Sequence, residues 1–174
     1  MDRWKRGHTV LVLGLGNDVL SDDGVGLRAA RRVAEIAAGR ADHAEACVAT
    51  IDLLSVLSGY ERVIVVDAYV DAAVPPGTPV RTTLEDLPRS FGYRSPHTMS
   101  FHEMMDVGTR LGLPMPREIV IHGLSVEDPW TVGERFTPAV EKAWPAWASA
   151  IARQEFGAGV ASPRLPARAE SPDG

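Results

Sequence analysis

The apolar residues of this chain fall into short continuous runs that alternate with amphipathic segments. Val10–Leu15 and 62–67 (RVIVVD) are apolar without a polar face, as expected for strands of a sheet that is covered on both sides. A weaker strand candidate lies at 45–50, a short strand at 79–83 and a last strand at 118–123, and the prolines around 79–83 place that short strand at or near a sheet edge. Strands that alternate with helices predict a three-layer α/β domain, an αβα sandwich with a mainly parallel sheet.

Helical periodicity accounts for the segments between these strands. Residues 22–38 place Val25, Ala29, Val33 and Ile36 on one face, and Gly39 provides a stop. Further helices are predicted over 53–58, from about 98 to 111, and from 138 into the 150s. In the last helix Trp144 and Trp147 are predicted to pack in the core, and Pro145 to start a second segment or kink the helix. We predict one domain over residues 1–156 and a disordered tail over 157–174.

Composition excludes several classes of protein. A net charge of −5 without a Lys/Arg cluster argues against nucleic-acid binding. No apolar stretch reaches the length of about 20 residues that a bilayer-spanning helix needs. The only cysteine, Cys47, has no partner for an internal disulfide, so a cytoplasmic location is expected. Because Cys47 lies in an apolar run, we predict that it is a buried small hydrophobic residue.

Three polar residues follow apolar strands or begin the helix after one. Asp23 comes after the first strand, Asp67 ends RVIVVD, and His97 follows Ser95-Pro96. If the first and third strands are neighbours, the two aspartates face one crevice at the carboxyl ends of the strands. Two carboxylates about 5 Å apart repel by roughly 3 kcal/mol at an effective dielectric constant near 20, so a cation or a retained proton is expected. With an imidazole added, the donor set suits Zn, Ni or Fe.

Aspartates and histidines in these positions also have purely structural interpretations. Asp22, taken alone, is best interpreted as a negative charge at a helix N-terminus. His97, taken alone, favours a hydrogen-bonding role at a helix start. His122 is interpreted as a hydrogen-bonded sheet residue, and His8 and His43 as solvated loop residues.

A dinucleotide site is disfavoured. Gly14 and Gly16 match the first two glycines of G-x-G-x-x-G, but Val19 occupies the third position, where close helix–strand packing requires glycine. The acidic pair that follows would also repel a pyrophosphate. No organic cofactor is therefore predicted.

Four motifs in order along the chain resemble those of one protein family. They are GLGNDVLSDDGVG (14–26), VIVVDAY (63–69), Ser95-Pro96-His97, and a late stretch from Gly123-Leu124 to 136–140. The first is similar to G-x-G-N-x-L-x-x-D-[DE]-x-x-G, with Val19 where leucine is usual. Over roughly residues 9–153 the chain resembles the hydrogenase maturation proteases, endopeptidases that trim the C-terminal extension of the [NiFe] hydrogenase large subunit.

The resemblance implies a five-stranded twisted sheet between helix layers and three nickel-contacting residues, Asp23, Asp67 and His97. It also implies a metal-dependent endopeptidase whose partner is the precursor of a [NiFe] hydrogenase large subunit. We infer that the nickel is supplied by this substrate, and that Asp23, Asp67 and His97 are the catalytic residues. Since the chain contains no G-x-S-x-G motif, hydrolysis is expected to use a metal-activated water or a carboxylate base.

One departure from the family pattern leaves a second function open. Members usually carry a D-G-G-T-type loop after the second strand, whereas 46–50 is here ACVAT, without glycine. The alternative is a catalytically diverged, nickel-dependent checkpoint or chaperone that binds the large subunit.

Overall fold

Five strands form one sheet in the computed structural model, which describes residues 8–47, 52–87 and 100–157. The strands are β1 (Val10–Leu15), β2 (Asp42–Ala46), β3 (Arg62–Tyr69), β4 (Pro79–Thr83) and β5 (Glu118–Ser125). They lie in the order β2-β1-β3-β5-β4, and every neighbouring pair is parallel except the antiparallel β4–β5 pair. The mainly parallel α/β sheet and the edge position of β4 are therefore confirmed.

Helices cover both faces of this sheet. They are α1 (Val25–Ala37), α2 (Leu53–Leu57), α3 (Phe101–Arg110) and α4 (Pro138–Phe156). Alternate residues of β1 point to opposite sides: Val12 packs with α1 and α4, whereas Leu11 and Leu13 pack with α2 and α3. Two separate cores result, one on each face, and the predicted three-layer sandwich is confirmed.

The second strand was predicted at the wrong place. Residues 45–50 were expected to form it, but β2 runs over Asp42–Ala46, where Asp42 pairs with Leu11 and Ala46 with Leu15 of β1. The apolar run that suggested 45–50 is not the pairing segment, and residues 48–51 lie outside the described part. Cys47 is exposed, so the prediction that it is buried is wrong.

The helices begin and end where capping hydrogen bonds and backbone conformation set their ends, and apolar spacing alone does not locate these residues. Ser21–Gly24 forms a separate 3-10 turn, so α1 begins at Val25 rather than at residue 22. The helix ends where Ala38 takes a positive φ of 50°. In α3, Ser100 and Glu103 form a reciprocal capping box, which sets its start.

The last helix is continuous through its proline. Pro145 was predicted to start a second segment or kink the helix; α4 is one helix from residue 138 to 156, so the second segment is wrong, and the kink stays a prediction. A proline inside a helix removes one N–H donor and crowds the preceding turn, and the buried residues Trp147, Ala148 and Ile151 hold α4 against α1 despite this cost. Trp147 is in the core as predicted, and Trp144 packs partly buried against it. The predicted tail beyond residue 157 lies outside the described residues.

Within residues 8–47, 52–87 and 100–157, no helix is long and apolar enough to cross a membrane.

Candidate active site

The candidate site lies where β1 and β3 end side by side. The two strands pair in parallel register, with Gly14 opposite Val66, so their carboxyl ends meet at one edge of the sheet. Asp67 follows Val66 within β3, which continues two residues beyond it, and Asp23 lies in the 3-10 turn that follows β1. The structure therefore brings together two of the three residues predicted from the sequence.

Gly26 allows α1 to begin directly above these strand ends. A Cβ atom at this position would collide with the carbonyl oxygen of Leu15, and would lie 2.7 Å from the carbonyl oxygen of Val66 and 2.8 Å from the Cα of Asp67. No side chain fits into that space. The absence of a Cβ at residue 26 thus keeps the turn that carries Asp23 close to Asp67.

Asn17 shapes the turn between β1 and Asp23. Its backbone N–H donates to Oδ2 of Asp23 at 2.7 Å, and its side-chain oxygen accepts from the N–H of Val19 at 3.1 Å. Gly16, just before it, has a φ of 136° and comes so close to the carbonyl of Asp23 that no side chain could be accommodated. Asn17 was assigned no separate role from the sequence, although glycine followed by asparagine is typical of a tight turn.

The two carboxyl groups oppose each other's ionisation. Burial raises the pKa of Asp67, the negative charge of Asp23 raises it further, and the N–H of Ala68 at 2.8 Å lowers it only in part, which leaves it at about 8. Burial also raises the pKa of Asp23, against the opposing hydrogen bond from Asn17. At neutral pH the pair therefore holds a proton unless a cation supplies the missing positive charge.

Residues 88–99, which include His97, lie outside the described part of the chain, so its place at the site stays a prediction. Among the residues that the structure describes, no group of three or more His, Cys, Asp or Glu side chains is arranged to hold a metal ion. Asp23 and Asp67 alone contribute two carboxylate donors, which suit a divalent cation but leave most of its coordination to other groups. A cation bound here would take its third ligand from elsewhere in the chain or from a substrate.

Asp22 has a role that the helix-charge interpretation does not describe. Its side chain is fully buried and caps neither the 3-10 turn nor α1. Instead it accepts hydrogen bonds from the N–H groups of Glu127 (3.2 Å), Asp128 (3.0 Å) and Thr137 (2.7 Å), and from the Thr137 hydroxyl (2.9 Å). Asp22 thus fastens the carboxylate-bearing turn to the segment between β5 and α4.

The remaining histidine predictions have mixed outcomes. His122 is a buried sheet residue whose Nε2 lies 2.8 Å from Oε1 of Glu155, as predicted. His43 lies in β2 and is half-buried, so the loop assignment is wrong, and burial lowers the pKa of its imidazole. Neither histidine is on the turn that carries Asp23.

Comparisons with known proteins agree with this architecture. The family model described as hydrogenase maturation protease (HycI) matches residues 44–154, more than half of the chain. The hydrogenase expression/formation protein HupD of Thiocapsa roseopersicina is 29% identical over 171 residues, which is 90% of this chain and 76% of the relative.

Solved structures share the fold. The hydrogenase maturating endopeptidase HybD from E. coli superposes with a TM-score of 0.68 at 24% identity, over 85% of this chain and 93% of that one. The [NiFe] hydrogenase maturation protease HybD from Thermococcus kodakarensis gives a TM-score of 0.62 at 25% identity, over 83% and 97%. The family match extends from β2 to α4 and includes the strand that carries Asp67. The chain belongs to the hydrogenase maturation protease family.

Proposed function

We propose that this chain is an endopeptidase that removes the C-terminal extension of a nickel-loaded [NiFe] hydrogenase large-subunit precursor. Membership of the maturation protease family supports the reaction class. The observation that carries the proposal is the pairing of Asp23 with the buried Asp67 at the strand ends. Because the pKa of Asp67 is about 8, this carboxyl group is protonated at neutral pH, and a nearby positive charge would stabilise its ionised form.

Peptide hydrolysis requires one group to take a proton from water and another to protonate the leaving nitrogen. A carboxyl pair that shares one proton has both capacities, because the ionised member accepts and the protonated member donates. Asp67 is the more buried of the two carboxyl groups and is therefore the one expected to hold the proton, whereas the side chain of Asp23 is only partly buried. A bound divalent ion offers a second route, since it lowers the pKa of water by several units.

In the proposed reaction the nickel is carried by the substrate. Asp23, Asp67 and His97 are the residues proposed to contact it, with two carboxylates and an imidazole as a donor set suited to that ion. Contact with nickel would release the proton held by Asp67 and remove the repulsion between the carboxylates, so hydrolysis of the nickel-loaded precursor would follow the second route, with a metal-activated water. Cleavage would then follow metal insertion. The proposed compartment is the cytoplasm, where the exposed Cys47 stays reduced.

The test is to incubate the protein with nickel-loaded and nickel-free precursor and to measure the precursor mass. Loss of the C-terminal extension only from the loaded form is expected, and Asp67→Asn should abolish it. Glu35→Gln is a matched control, because this exposed carboxylate lies at the far end of α1. Equal cleavage of the loaded and nickel-free precursors would contradict the gating by nickel.

The same experiment separates the alternative of a nickel-dependent checkpoint or chaperone, which the glycine-free stretch 46–50 suggested. A chaperone would form a stable complex with the nickel-loaded precursor and leave its mass unchanged. Asp67→Asn would then reduce complex formation rather than turnover.

A further inference from the structure

Three exposed apolar side chains lie next to the carboxylate-bearing turn. Val19, Trp130 and Val132, here called the apolar patch, are 53%, 74% and 81% exposed. In the part of the chain that the structure describes, only two other large apolar residues, Val70 and Leu111, are comparably exposed. The patch is therefore a local concentration of apolar surface, of the kind that marks interaction sites.

Backbone pairing holds the apolar patch together and ties it to Asp23. Leu20 forms a β-bridge with Val132, and the N–H of Gly133 donates to the carbonyl of Val19 at 3.0 Å. One residue further on, the N–H of Ser21 donates to the carbonyl of Gly133 at 2.7 Å. The patch and the candidate catalytic carboxylate thus belong to one hydrogen-bonded unit.

Hydrogen bonds to Asp22 and Asp128 hold the loop that carries the exposed Trp130. Oδ1 of Asp128 accepts from the N–H groups of Trp130 (3.2 Å) and Thr131 (3.0 Å), while the N–H of Asp128 donates to Asp22. An ordered loop that presents tryptophan to solvent loses little conformational entropy on binding, and tryptophan is enriched among the residues that dominate interface energies.

The chain segments around the apolar patch are rich in acidic residues. Segments 16–24 and 127–137 together contain six acidic residues and one arginine. The acidic residues are Asp18, Asp22, Asp23, Glu127, Asp128 and Glu134. Two arginines, Arg28 and Arg31, line a groove together with Val19. Arg31 makes two hydrogen bonds of 2.7 Å to Glu45, and Arg28 stacks over the ring of Phe136.

We propose that the apolar patch docks a segment of the substrate protein that carries an apolar anchor flanked by lysine or arginine. This inference rests on the proposed function, because it assigns the same site its substrate contact. Charge complementarity selects the partner: a basic segment is attracted to this surface, whereas a second copy of the chain would bring the same acidic surface and be repelled. The position of the patch beside Asp23 places the docked protein at the reacting group.

The experiment uses the full chain and a [NiFe] hydrogenase large-subunit precursor from the same genome, loaded with nickel. Trp130→Ala should raise KM at least tenfold and leave kcat within about twofold, because the side chain contacts substrate away from the scissile bond. Glu134→Lys should also raise KM, and higher salt should raise the KM of the wild type. Leu111→Ala is the matched control, since Leu111 is 65% exposed at the end of α3; its KM should not change.

Binding of the precursor, measured with wild type and with Trp130→Ala, separates this inference from the proposed function. Trp130-dependent binding without any cleavage would support the docking surface and contradict the peptidase. Cleavage and binding that are unaffected by Trp130→Ala, in a variant with an unchanged thermal unfolding midpoint, would overturn the docking surface. A wild-type dimer in solution that Trp130→Ala converts to monomer would also overturn it, because the patch would then be covered by a second copy.

Discussion

The carboxylate of Asp22 accepts two hydrogen bonds from Thr137, one from the backbone N–H at 2.7 Å and one from the hydroxyl at 2.9 Å. The two residues are 115 positions apart in the chain. Because Asp22 is fully buried, these bonds compensate for removing its carboxylate from water. The neighbouring Asp23 is therefore held in place by a contact with a segment that is remote in the sequence.

Substitution of Asp22 is expected to destabilise the protein. Asp22→Ala leaves several buried donors without an acceptor and should lower the free energy of unfolding by about 3 kcal/mol. Asp22→Asn should cost less, since the amide oxygen still accepts. Urea unfolding at pH 7 measures both, with Glu35→Gln expected within about 0.5 kcal/mol of wild type. Wild-type stability in Asp22→Ala would contradict the role of Asp22 as a buried acceptor.

Asp67 should make the metal-free protein less stable as the pH rises. Its carboxyl titrates near 8 in the folded state and at about 4 in the unfolded chain, so between these values the folded state binds more protons. This group therefore lowers the free energy of unfolding by about 1.4 kcal/mol per pH unit over that range. Asp67→Asn, which mimics the protonated form, should flatten the profile and exceed wild type in stability at pH 8. Parallel profiles for the two proteins would refute the raised pKa.

Divalent metal should stabilise the protein through the same pair. At a metal concentration of 100 times Kd, Ni²⁺ should add about 2.7 kcal/mol to the free energy of unfolding. Because Asp67 holds a proton at pH 7, binding should also release it, which calorimetry in buffers of different ionisation enthalpy detects. Asp23→Asn and Asp67→Asn should both lose the shift in thermal midpoint. A midpoint that does not move in millimolar Ni²⁺, Zn²⁺ or Cd²⁺ would contradict a cation site here.

Glu155 is expected to contribute stability that depends on pH. Its side chain is 2% exposed; burial would raise its pKa, but the hydrogen bond from His122 and the charge of Arg62 outweigh burial and lower it to about 2. The contribution is fully present above the unfolded pKa near 4.3 and is lost as the pH falls towards 2. Glu155→Gln should therefore cost about 3 kcal/mol at pH 7 and progressively less below pH 4. Glu141→Gln, an exposed position in the same helix, is the control.

Local patterns in the sequence were sufficient for most of the fold. The predicted bounds of α2, β3, β4 and β5 agree with the structure to within two residues. The elements α2, β3 and β5 are short, mostly apolar runs, and β4 follows the turn-forming residues Pro75, Pro76 and Gly77. The second strand was misplaced, since an edge strand such as β2 is defined by its pairing with β1 and carries little apolar signal of its own. The prediction that Cys47 is buried rested on the same apolar run and was wrong as well.

From the sequence, Asp23 and Asp67 were predicted to face one crevice if the first and third strands were neighbours, and the strand order of the sheet fulfils that condition. Only the tertiary structure decided that Asp22 is a buried anchor and that backbone pairing joins residues 19–21 to residues 132–133. Hydrophobic periodicity reports which face of an element is buried, and it holds no information on which distant loop supplies the hydrogen-bond donors. Those contacts arise only when the packing of α1 and α4 on one face of the sheet brings the two segments together.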